Sequence, residues 1–189
     1  MRRPRNLLGP QGMGGLVSLW GASSLIRSVQ RGTITITGAT SATATITAVD
    51  VANTRLRWLG SRASITAVNG QQYFANLVLT NSTTVTATVV TSPGVNSCIV
   101  GYEITEYMPG VVKSIQQGEL SVAGTTATTT ITRVNVDKTE LSFNGFRDND
   151  TSNNNGVFAT VALTDGVTVS ATNVVGSTLY VTWQAVEFF

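Results

Sequence analysis

Ile26-Arg-Ser-Val-Gln-Arg-Gly-Thr-Ile-Thr-Ile-Thr-Gly38 is answered later in the chain by Val112-Lys-Ser-Ile-Gln-Gln-Gly-Glu-Leu-Ser-Val-Ala-Gly124. Within the first stretch Ile34 and Ile36 alternate with Thr33, Thr35 and Thr37, a period of two that marks a strand with one dry and one wet face. The correspondence continues on both sides of later turns. Ile46-Thr-Ala-Val-Asp-Val51 matches Ile131-Thr-Arg-Val-Asn-Val136, and Thr54-Arg-Leu-Arg-Trp-Leu-Gly60 matches Thr139-Glu-Leu-Ser-Phe-Asn-Gly145. Phe74-Ala-Asn-Leu-Val-Leu-Thr80 matches Phe158-Ala-Thr-Val-Ala-Leu-Thr164, and Thr84-Val-Thr-Ala-Thr88 matches Thr168-Val-Ser-Ala-Thr172. The closing segments Val100-Gly-Tyr-Glu-Ile-Thr-Glu-Tyr107 and Val181-Thr-Trp-Gln-Ala-Val-Glu-Phe188 correspond as well. A unit of about 80 residues, a normal size for a domain, is therefore repeated in tandem.

The expected fold is all-β: two duplicated antiparallel β-sandwich domains of jelly-roll or immunoglobulin-like type, each of six or seven short strands. An extended N-terminal arm covers residues 1–24, the first domain 25–108 and the second 109–189, with Met108-Pro109-Gly110 as the turn between them. Asn69-Gly70 and Asn155-Gly156 precede matching strands and predict tight turns with positive φ. Composition agrees. Of 189 residues 30 are Thr and 24 are Val, types that stiffen χ1 and suit a pleated surface.

The same composition narrows the chemistry. There is no His, so imidazole general bases, Ser-His-Asp or Cys-His nucleophile systems and His-bearing zinc sites are excluded. One Cys leaves no intrachain disulfide. That residue, Cys98, is matched by Leu179, which predicts a buried, inert thiol. Paired carboxylates are not repeated either: Asn135 stands opposite Asp50, and Gln184 opposite Glu103. The chain is expected not to be an enzyme, and to need no cofactor and no small-molecule substrate.

Charge is unevenly placed. Residues 1–110 carry eight Arg against three acids, and 111–189 carry four bases against seven acids, so net +5 meets net −3. Arg2, Arg3 and Arg5 open an arm whose apolar part includes Leu16, Leu19 and Trp20, and 16–25 is the one stretch that reads as a candidate short helix. These six residues are the expected docking contacts to a partner. Glycines and Pro10 break the apolar run, so it does not form the core of a secretion signal, and no window is long enough to span a bilayer. Two Lys in the whole chain argue against nucleic acid as the partner.

Three further features bear on function. Asp148-Asn-Asp150 begins an oxygen-rich loop with calcium-like spacing, but it lacks the closing bidentate Glu, so a solvated hairpin is preferred to a metal site at Asp148 and Asp150. Trp58 and Trp183 fall at strand positions in the apolar register and predict core packing rather than sugar stacking. Arg62, Glu106, Arg147 and Glu187 are charges kept in both units, with the glutamates on the dry face by strand parity. They predict the ion pairs Arg62–Glu106 and Arg147–Glu187.

Ser28-Val-Gln-Arg-Gly-Thr-Ile-Thr-Ile36, Ser41-Ala-Thr-Ala-Thr-Ile-Thr-Ala-Val-Asp50, Leu79-Thr-Asn-Ser-Thr-Thr-Val-Thr-Ala-Thr88 and Gly101-Tyr-Glu-Ile-Thr-Glu-Tyr107 together resemble the small structural proteins of tailed bacteriophages. The resemblance spans nearly everything after residue 25, and its patterns are simple Thr/Val strands. It implies a non-enzymatic virion component of decoration, collar, tail or fibre type, assembled in the host cytoplasm. The implied partners are capsid, portal or tail proteins reached by the arm, and further copies of the chain. The alternative expectation is a receptor-binding adhesin whose second-domain loops touch host-surface glycan or protein.

Overall fold

A computed structural model describes residues 24–66, 69–149, 158–174 and 178–189. The chain is all-β, built of antiparallel sheets. Its strands are β1 (Ile26–Thr37), β2 (Ser41–Thr45), β3 (Thr54–Ala63), β4 (Asn76–Asn81), β5 (Thr84–Thr88), β6 (Ser97–Tyr107), β7 (Val112–Val122), β8 (Thr126–Thr130), β9 (Thr139–Asp148), β10 (Ala159–Asp165), β11 (Thr168–Asn173) and β12 (Leu179–Phe188). One four-residue helix, α1 (Gly70–Tyr73), lies before β4.

Strand order recurs along the chain. β1, β6 and β3 form one sheet in that order, and β7, β12 and β9 are neighbours in the same sequence. The pairing β2-β5-β4 is likewise matched by β8-β11-β10. The halves differ in one join: Asn76 of β4 pairs with Gly145 of β9, so β2-β5-β4-β9-β12-β7 runs as a single six-stranded sheet.

The period-two alternation places the core. Ile34, Ile36, Leu56, Leu77, Val85, Ala87, Val100 and Ile104 are buried in one cluster drawn from residues 34–104. Leu120, Val122, Val169, Ala171, Leu179, Val181 and Trp183 are buried in a second cluster drawn from 120–185. The alternating threonines, such as Thr35 and Thr37, face outward.

Local devices also recur. Gly32 lies opposite Tyr102, and Gly118 opposite Trp183. In each pair the ring covers the bare Cα, so closely that a Cβ on Gly118 would sit 2.9 Å from the indole. Gln30 exchanges two hydrogen bonds with the main chain of Thr47, at 2.9 and 2.8 Å, and Gln116 does the same with Thr132, at 2.8 and 2.7 Å. Asp50 and Asn135 each start a 3-10 turn, over Val51–Asn53 and Val136–Lys138, by accepting from the amide two residues on. An acceptor oxygen is all that this cap requires, which explains the Asp-to-Asn exchange. At Gly60 and Gly145 the strands β3 and β9 slip register against β6 and β12. Both glycines hold positive φ, +109° and +86°, the conformation such a bulge demands.

One turn expectation is corrected. Gly70 does not have positive φ; Asn69 instead caps α1, its side chain accepting from Gln71 N at 3.0 Å. The local preference of Asn for capping overrode the hairpin-turn signal. Asn155-Gly156 lies outside the described residues.

Candidate functional site

The most chemically distinctive side chains are two buried carboxylates. Glu106 is 4% exposed and Glu187 2%. Strand parity put them on the dry face, and there they lie. Glu106 accepts from Arg27 Nη1 at 3.2 Å, Ser28 Oγ at 3.0 Å and Asp50 N at 2.9 Å. Glu187 accepts from Lys113 Nζ at 2.9 Å, Ser114 Oγ at 3.2 Å and Asn135 N at 2.9 Å. Each carboxylate thus ties the last strand of its half to the first strand and to the 3-10 turn. The Lys113 ammonium, followed by the Asn135 amide, holds the Glu187 carboxyl below its ordinary range against the opposing effect of burial.

The expected partners of these glutamates were wrong. Arg62 stands opposite Ile99, whereas Glu106 stands opposite Thr54. Eight residues of strand separate the two charges, ~26 Å at ~3.3 Å per residue. Arg147 is displaced in the same way, opposite Tyr180 rather than Glu187. It binds Glu119 instead, at 2.7 Å, and lies 4.7 Å over the Tyr180 ring. Arg62 is exposed and makes no ion pair among the described residues. The expectation rested on which charges recur and on facing, and ignored distance along the strand.

The second distinctive region is the joint between the halves. Three of its contacts link residues at matching positions: Arg55 with Glu140 at 3.1 Å, the ring of Trp58 edge-on to Phe143 at 5.7 Å, and the ring of Tyr107 edge-on to Phe188 at 5.4 Å. The remaining contacts run one way. Phe74 stacks on Phe146 at 4.7 Å, and Asn76 Nδ2 donates to both Glu119 and Thr182 at 2.7 Å. Ala75 O and Asn76 Cα close over the bare face of Gly145. Gln184, 1% exposed, accepts from Leu56 N at 2.8 Å and donates to Thr54 O at 3.3 Å.

Sequence reasoning missed this joint. A signal was present, since Glu103 and Gln184 differ at matching positions. Glu103 is ion-paired with Arg31 at 2.6 Å, whereas the buried Gln184 faces a carbonyl that a carboxylate could not bond.

Cys98 is fully buried, its Sγ donating to Tyr73 O at 3.5 Å, and burial pushes its thiol up to about 12. Trp183 is buried in the second core cluster, and Trp58 packs half-buried against the first. Asp148 is buried at the end of β9, while Asp150 lies outside the described residues. Among the described residues no group of three or more His, Cys, Asp or Glu could hold a metal. Arg2, Arg3, Arg5, Leu16, Leu19 and Trp20 all lie outside the described residues. No described helix is long and apolar enough to cross a membrane.

No protein-family model, curated protein sequence or solved structure matches the chain.

Proposed function

We propose that the chain is a duplicated β-sandwich scaffold, serving as a non-enzymatic structural component of a bacteriophage virion. Its arm would anchor it to capsid or tail proteins, and its β units would pack against further copies. The observation that carries this reading is the joint: Arg55–Glu140, Trp58–Phe143 and Tyr107–Phe188 bring matching positions of two like units together. A unit met by an identical unit would have to place like charges together at the Arg55/Glu140 position. Two copies in one chain are free to diverge to opposite signs, and these have done so. Such a surface is shaped for its own kind rather than for a small substrate. The recurring buried glutamates support the same view, since every hydrogen-bond partner found for them is spent on fixing strands.

The test is location. Virus particles purified by density gradient from a producing culture should contain peptides of this chain by mass spectrometry, at many copies per particle. Peptides confined to the particle-free protein would overturn the assignment.

A further inference from the structure

Arg62 and Arg147 occupy matching positions in the two halves, but their surroundings differ. Arg147 is held by Glu119 at 2.7 Å and lies 4.7 Å over the Tyr180 ring. At the places of Glu119 and Tyr180 the first half carries Thr33 and Ile99. The first half thus has the arginine without either of its partners. Arg62 is exposed and makes no ion pair among the described residues.

That arginine lines a groove of about 230 Å³ on the face of β1, β6 and β3 turned away from the core, together with Leu59, Ser61, Ile99, Gly101 and Thr33. Leu59, 51% exposed, gives the groove an apolar wall. Gly101 keeps its floor bare, since a Cβ there would stand 3.2 Å from that of Leu59. Thr33 is exposed and adds a hydroxyl. Arg62 lies opposite Ile99, and four residues further along β6 Glu103 lies between Arg31 and Arg57 on the neighbouring strands. They approach its carboxylate at 2.6 and 3.8 Å. Two guanidinium groups against one carboxylate leave that place net positive as well, ~13 Å from Arg62 at ~3.3 Å per residue.

Such a face calls for an elongated ligand with spaced acid groups on a body that is part apolar and part hydrogen-bonding. Nucleic acid fits poorly, because no aromatic ring lines the groove for a base to stack on. An extended peptide would pair along a strand edge, whereas this groove crosses the face of three strands. We infer that the groove binds a carboxylate-bearing saccharide chain. Arg62 takes one carboxylate in its planar fork, Leu59 packs on a sugar ring, Thr33 bonds a hydroxyl, and Arg31 with Arg57 draws a second carboxylate. The site belongs to the first half alone. In the second half the matching positions include Glu119, Phe146 and Thr182, which Phe74 and Asn76 of the joint contact.

Calorimetric titration of the full chain with a short oligogalacturonate and with an oligosialate tests the inference, beside a neutral maltooligosaccharide and an oligoglutamate. At least one acidic saccharide should bind, more weakly as salt is raised, and the neutral saccharide and the peptide should not. Arg62→Gln should raise the Kd about ten-fold, the loss of one charge-assisted contact, and Leu59→Asp should raise it further. Both positions are exposed, so the circular dichroism spectrum and melting temperature should not change. Arg133→Gln removes the same charge from an exposed position of the second half and should leave the Kd as it was. Equal weakening by Arg133→Gln would mean attraction to net charge and would overturn the site. Oligoglutamate binding as tightly would overturn the saccharide in favour of an acidic peptide. Failure of both acidic saccharides to bind the parent chain would overturn the inference outright, and none of these results bears on whether the chain is a virion component.

Discussion

Glu187 illustrates how a buried charge earns its place in this chain. Its carboxylate is satisfied by an ammonium, a hydroxyl and a backbone amide, so losing the negative charge weakens three contacts together. The Lys113 and Asn135 contacts hold the carboxyl below its ordinary value of 4.5, so between the two values the unfolded chain binds the more protons. Stability from this group is therefore complete above that ordinary value and declines as pH falls through the lower folded one. Melting temperature followed from neutral pH into acid should show this decline in the parent chain. Glu187→Gln should melt lower than the parent at neutral pH and lose part of the acid-side slope. Equal slopes in the two proteins would assign the acid sensitivity to other carboxylates. Residue type and strand parity made the burial of Glu106 and Glu187 legible in the sequence. Their partners were not legible, because pairing depends on position along a strand, which the pattern of recurring charges does not encode.

At the level of elements, the strands follow directly from alternation, and the glycines mark where they bend or pack closely. Gly32 and Gly118 are bare because Tyr102 and Trp183 lie on them, and Gly60 and Gly145 permit matching bulges. What alternation could not convey is which strand edges join. β4 meets β9 through the single pair Asn76–Gly145, a contact between residues far apart in sequence. Gln184 reinforces that region by tying β12 to two backbone groups of β3, Leu56 N and Thr54 O. Gln184→Glu removes the donor to Thr54 O and turns a buried negative charge towards that carbonyl. Chemical denaturation should show a loss of about 3 kcal/mol or more, since an uncompensated buried charge costs more than the roughly 1–3 kcal/mol of a neutral group left unsatisfied. The matching change on the first half, Glu103→Gln, breaks only surface pairs with Arg31 and Arg57 and should cost under about 1 kcal/mol. Equal losses from the two substitutions would mean that Gln184 contributes nothing particular to the joint.

For the whole molecule, the internal repeat was readable from residue matches, and the recurring strand order, caps and buried glutamates are its structural counterpart. The joint was hidden because its matching-position partners lie about 80 residues or more apart and resemble ordinary strand residues. Around contacts between matching positions the joint is uneven, since Phe158 on one half is exposed and the space at Gly60 on the other is open. The proposed packing of copies would draw on the charge division along the sequence, +5 over residues 1–110 and −3 over 111–189, and so would weaken with salt. The most direct check is the mass of the purified full chain by sedimentation velocity over a range of concentration, at about 0.1 M salt and again at about 1 M, where the screening length shrinks from ~10 Å to ~3 Å. The expected result is species heavier than the 19.9 kDa monomer, growing with concentration and weakened at the higher salt. A single 19.9 kDa species at every concentration in low salt would contradict the proposal that this chain is built to pack against its own copies.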